Sequence, residues 1–103
     1  DPLIALWYSI RSLCDFIAGR HEEAIEWAEA SIRIQPNRSS SYLDIAVNNA
    51  ICGKLDEARQ AVFDLKRLDP GASLQVAERT HPFARPEDHK RYQQGLRAAG
   101  LNR

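Results

Sequence analysis

Proline recurs in this sequence with a fixed period: Asp1-Pro2, Gln35-Pro36 and Asp69-Pro70 stand 34 residues apart, twice over. Gly19 and Gly53 keep the same spacing, as do Glu23-Ala24 and Glu57-Ala58, Tyr8 and Tyr42, Ile17 and Ile51, and Arg33 and Arg67. A repeat of this length constrains the fold more than any local propensity. Each unit is a supersecondary element that cannot bury its apolar face alone and must stack on a neighbour.

Each unit reads as helix, tight turn, helix and proline stop. In the first (1–36), Asp1 is placed to cap a helix with Pro2 at its first position, where a missing N–H costs nothing. That helix runs to about Ala18, and Gly19 supplies the backbone freedom for the turn. A second helix opens near Glu22, with acidic residues facing the positive end of its dipole. It carries Ala24, Ile25, Ala28 and Ile32 on one face and ends before Pro36, whose ring disfavours α geometry at Gln35. In the second unit (37–70), Asn37 and Ser39 to Ser41 offer caps. Tyr42, Ile45, Ala46 and Asn49 mark the first helix, and Gly53 turns the chain. Ala58, Val62, Leu65 and Leu68 line the second helix. Ala24 and Ala58 let paired helices approach closely.

GRHEEAIEWAEASIRIQP and GKLDEARQAVFDLKRLDP resemble the second halves of tetratricopeptide-repeat (TPR) units. The resemblance covers residues 1 to about 70. It implies an all-α fold, in which TPR helix-turn-helix repeats stack as a short right-handed solenoid. The first halves depart from the family pattern. Its Leu-Gly pair is Arg11-Ser12 in one unit and Ile45-Ala46 in the other, and its later large aromatic is Asp15 or Asn49. Beyond Pro70 the period fades into a degenerate third unit and C-terminal cap (71–103). A short helix is expected over Ala72 to about Thr80, broken by His81-Pro82. Pro86 then starts a capping helix whose apolar stripe is His89, Tyr92, Leu96 and Ala99. Gly100 ends it, with Leu101 reaching back to Leu96 in a Schellman contact.

Lys+Arg and Asp+Glu are both 14, so the formal net charge is zero. That balance argues against a nucleic-acid binder and against a polybasic membrane anchor. No apolar run approaches the roughly 20 residues of a membrane span. The chain therefore reads as a cytoplasmic domain, and Cys14 and Cys52, with no CxxC and no histidine at ligand spacing, read as free buried thiols, with a disulfide as the alternative. No methionine is present. The expectation is accordingly that Asp1 is not a native start and that at least one further unit precedes it.

No catalytic set, cofactor site or metal site emerges. His21, His81 and His89 are scattered: packing is expected for His21 in the repeat turn, a loop position for His81 and half-burial for His89. Glu22, Glu23, Glu26 and Glu29 spread around a solvated helix, with Glu29 and Arg33 spaced for an i,i+4 pair. The resemblance implies instead a protein–protein interaction scaffold that binds a protein or a peptide through the concave face of its first helices. Here that face would carry Leu6, Ser9, Leu13, Phe16 and Ile17 from the first unit. The second would contribute Ser40, Leu43, Val47, Ala50 and Ile51. The Lys and Asn residues with which some TPR proteins clamp a terminal carboxylate are absent. The alternative is that this stripe is core, covered by other repeats or by another copy. A homodimer with a second copy of the chain is expected on a separate ground: the first helix carries Leu3, Ile4, Leu6, Trp7, Tyr8, Ile10 and Leu13, more apolar surface than one neighbouring helix can cover. GRHEEA, GKLDEA and the closing GLRAAGL are also similar to the C-terminal TPR tails of bacterial class III adenylate/guanylate cyclases. That likeness implies a regulatory or assembly module of a larger signalling protein. The TPR tail of a winged-helix transcriptional regulator and a purely structural dimerisation module are the alternatives.

Overall fold

The computed structural model describes residues 2–81 and 83–102. Among the described residues there are six helices and no strands: α1 (Pro2–Ile17), α2 (His21–Ile34), α3 (Ser39–Ile51), α4 (Leu55–Leu68), α5 (Leu74–Thr80) and α6 (Pro86–Ala98). The first four form two hairpins, α1 with α2 and α3 with α4, and α3 also packs on α2. Capping by Asp1 and the break at Pro82 lie outside the described residues.

The two hairpin turns are built alike. Gly19 and Gly53 take φ of +83° and +81°, the left-handed region in which a Cβ is strained. The amide of Gly19 donates to Phe16 and that of Arg20 to Asp15, while the amides of Gly53 and Lys54 donate to Ala50 and Asn49. These paired bonds are Schellman closures that satisfy carbonyls at the end of each first helix. The third closure, also expected, ends α6, with Gly100 N–H donating to Arg97 and Leu101 N–H to Leu96 at 3.0 and 2.9 Å.

Small residues set the helix spacing. Ala24 and Ala58 are fully buried. Serines link the first three helices: Ser12 Oγ donates to the Ala24 carbonyl at 2.7 Å and Ser31 Oγ to the Ala5 carbonyl at 2.9 Å. Ser41 Oγ in turn donates to Ser31 Oγ at 3.0 Å. Hydroxyls here satisfy backbone or one another, so Ser12, Ser31 and Ser41 let these helices approach closely with their own hydroxyls paired. The main core gathers Phe16, Leu43, Val47, Val62, Leu65, Leu74, Tyr92, Leu96 and Leu101.

Several details depart from the sequence reading. No side-chain cap forms at the start of α3: the N-cap is Arg38, and Ser39 to Ser41 lie inside the helix, with Ser41 in the helix–helix seam. The buried positions of α2 include Ser31, while Ile32 is half-buried; in α4 Ala61 is buried and Leu68 is exposed. Helix α5 starts two residues after the expected Ala72 because Ser73 caps it, its Oγ accepting from Val76 N–H at 3.2 Å. Glu29 and Arg33 form no ion pair; pairs among the described residues include Arg20–Asp15, Arg59–Asp56, Arg85–Asp88 and Arg91–Asp88. Both cysteines are free thiols, but Cys14 is exposed and Cys52 half-buried rather than both in the core.

Candidate functional site

The face expected to bind a partner divides in two. Phe16, Leu43 and Val47 are buried in the main core, and Ser9 is buried as well. The chain itself covers this surface, because α6 packs on α3 and reaches the end of α1. Gly95 makes the seat. A Cβ built there would collide with Val47 Cγ2 and lie 3.2 Å from the Val47 carbonyl oxygen. The stripe that α6 buries is Asp88, Tyr92, Gly95, Leu96 and Ala99, with His89 half-buried at its flank against the Phe83 ring.

Arg91 fastens this helix. Its guanidinium lies 4.7 Å above the Phe16 ring, donates to the Phe16 carbonyl at 2.9 Å and pairs with Asp88 at 3.0 Å. A cation at the C-terminal end of α1 also suits the negative end of that helix dipole. Arg91 Nη2 reaches His21 Nε2 at 3.3 Å, and His21 Nδ1 lies 2.8 Å from Asn48 Oδ1. A guanidinium has only donors, so Nε2 is the acceptor and the proton on Nδ1 is donated to Asn48. His21 thus joins the hairpin turn, α3 and α6, more than packing alone. The Asp88 carboxyl is held below the usual carboxylate range by hydrogen bonds from Arg85, reinforced by the charges of Arg85 and Arg91 against the opposing effect of burial.

A second polar group ties the α5–α6 connection to α3. His81 Nε2 lies 3.4 Å from Asp44 Oδ1, an ion-pair distance without a hydrogen bond, and its ring meets Tyr92 edge-on. His81 lies in the loop after α5, as expected, and its ring packs against the core there. Burial pushes the Asp44 carboxyl above its ordinary value, opposed by His81 and by the charge of Arg38. Burial and the Asp44 charge push the Tyr92 phenol well above its ordinary range.

The other half of the expected face stays open. Leu6, Ile10 and Ile17 of α1 are exposed and Leu13 is half-buried, spaced i, i+4, i+7 and i+11 along one ridge. Ile51 is exposed beside α6, and Ser40 and Ala50 are half-buried. Next to the ridge runs a groove of about 300 Å³ lined by Trp7, Tyr8, Ile10, Arg11, Cys14 and Trp27. Trp7, at 69% exposure, forms its rim; Tyr8 and Trp27 pack with ring centroids 5.2 Å apart. Trp7, Tyr8 and Ile10 were legible in the sequence as apolar surface that one neighbouring helix cannot cover, but not as the walls of a groove with Trp27. An amphipathic surface helix leaves one face polar, and α1 leaves none. Among the described residues no three His, Cys, Asp or Glu side chains are grouped to hold a metal ion, and no helix is long and apolar enough to cross a membrane.

Compared with known proteins, the chain matches no family model, and no curated protein or solved structure is significantly similar to it.

Proposed function

We propose that this chain is a TPR-type protein–protein interaction module, with the apolar ridge and groove of α1 as its docking surface. It acts by binding, and the 34-residue hairpins with matching Gly19 and Gly53 closures support a stacked-repeat scaffold ended by α6. The single observation that carries the docking reading is the exposure of Leu6, Trp7, Ile10 and Ile17 together on one helix. Scattered apolar side chains on a surface need no explanation, but a contiguous patch of this kind marks an interaction site. The concave-face reading is narrower than the sequence suggested, since α6 occupies the part lined by Phe16 and Val47, and Leu43 lies in the same core beside α5. The parent we favour is a bacterial class III nucleotide cyclase, on the likeness of GRHEEA, GKLDEA and GLRAAGL alone.

The test is selection of helical peptides against the immobilised protein, followed by mapping. Selected peptides should lose at least about tenfold in affinity on Trp7→Lys, as expected at an interface hot spot. They should be indifferent to Glu57→Lys on the exposed side of α4. Selection that yields only peptides indifferent to Trp7→Lys would refute α1 as the docking surface.

A further inference from the structure

We infer that the α1 face pairs two copies of this chain, the ridge of each seated in the groove of the other across a two-fold axis. The inference rests on the docking reading above and names the partner. A two-fold contact presents the same patch from both sides, so a patch that fits itself needs a projection and a receiving depression side by side. The ridge of Leu6, Ile10, Leu13 and Ile17 on α1 and the groove that Trp7, Ile10, Arg11 and Cys14 form with Trp27 of α2 meet this condition on one face of the first hairpin.

Charge points the same way. A two-fold axis brings every charge near its own copy, and like charges brought together oppose association. The 16 residues of α1 include one cation, Arg11, and one anion, Asp15. Asp15 is buried and paired with Arg20 at 3.0 Å, and Arg11 lies over the Trp27 ring at 5.1 Å. The ridge itself carries no charge. By contrast α2 carries four glutamates and Arg33, and α4 carries three acidic and three basic residues.

The 34-residue register weighs against the other obvious occupant, a further hairpin stacked as α2 stacks on α3. In that seam Ser41 and Asn48 are fully buried, Ser41 against Ser31 and Asn48 against His21. The positions of α1 one period earlier are Trp7 and Cys14. A tryptophan where the seam needs a serine would hold such a neighbour off. Large side chains interlocking from both partners suit Trp7, whereas a close serine-lined seam does not.

Sedimentation equilibrium on the protein tests this. The expected result is a reversible monomer–dimer equilibrium. Ile10, at the middle of the ridge and 45% exposed, would face its own copy near the axis. Ile10→Glu and Ile10→Lys should each raise the dimer dissociation constant at least about 100-fold by placing like charges together. An equimolar mixture of the two should recover pairing, because unlike charges then meet. Unchanged circular dichroism of each variant shows that the monomer still folds. A wild-type protein that stays monomeric, variants that pair as tightly as wild type, or a mixture no tighter than its components would each overturn the inference. A monomeric protein whose selected peptides still depend on Trp7 would reject self-pairing while leaving α1 a docking surface for another protein.

Discussion

Replacing Gly95 by alanine sets two physical effects of opposite sign against each other. Gly95 lies inside α6, where glycine is about 1 kcal/mol worse than alanine in helix propensity. On propensity alone Gly95→Ala should stabilise the protein by that amount. Packing opposes it. The new Cβ would overlap Val47 Cγ2, and its contacts with the Val47 carbonyl oxygen and Cα, at 3.2 and 3.5 Å, leave little room to slide. Val47 is β-branched and sits in α3, so its side chain is confined to essentially one rotamer and cannot turn aside without strain. Either α6 lifts from α3 or Val47 distorts, and overpacking of this kind costs about 1–3 kcal/mol. The packing term should win, with a net loss of up to about 2 kcal/mol. For a chain near 100 residues each kcal/mol moves Tm by about 4–8 °C, so calorimetry reads the sign directly. Val47→Ala removes the obstructing methyl groups and should cost about 2 kcal/mol by itself. The double variant should then be more stable than the sum predicts, by a coupling of about 1 kcal/mol. A higher Tm for Gly95→Ala, or strict additivity in the cycle, would refute the seating of α6 on α3 and with it the covering of Phe16 and Val47.

Two further outcomes are expected. Burial raises the folded-state pKa of Asp44 above its unfolded value, so the native state binds the extra proton and stability falls as pH rises through the window between the two; urea denaturation should therefore show Asp44→Asn gaining on wild type as pH rises above the ordinary aspartate range, and a difference that does not change with pH would contradict the assignment. Removing residues 86–103 uncovers Val47 and Phe16, so light scattering should report self-association, whereas a monomeric truncation of unchanged Tm would show α6 to be dispensable.

The hairpins and their glycine turns were legible in the sequence because their determinants are local, while the starts of α3 and α5 were not placed correctly. A glycine in the left-handed region, an alanine at a crossing and a proline after a helix each act over a few residues, and the period repeats the signal. The same locality explains the Gly100 closure and the start of α6 at Pro86. Which faces are covered could not be read in this way. Phe16, Leu43 and Val47 look identical in sequence whether they line an open groove or a core, and only the positions of α5 and α6, distant in the chain, decide between them. Leu6, Ile10 and Ile17 share their periodicity but lie beyond its reach. His21 and His81 likewise owe their roles to Asn48, Arg91, Asp44 and Tyr92, partners brought together only by folding. Periodicity determines which residues share a face, and tertiary packing determines what that face meets.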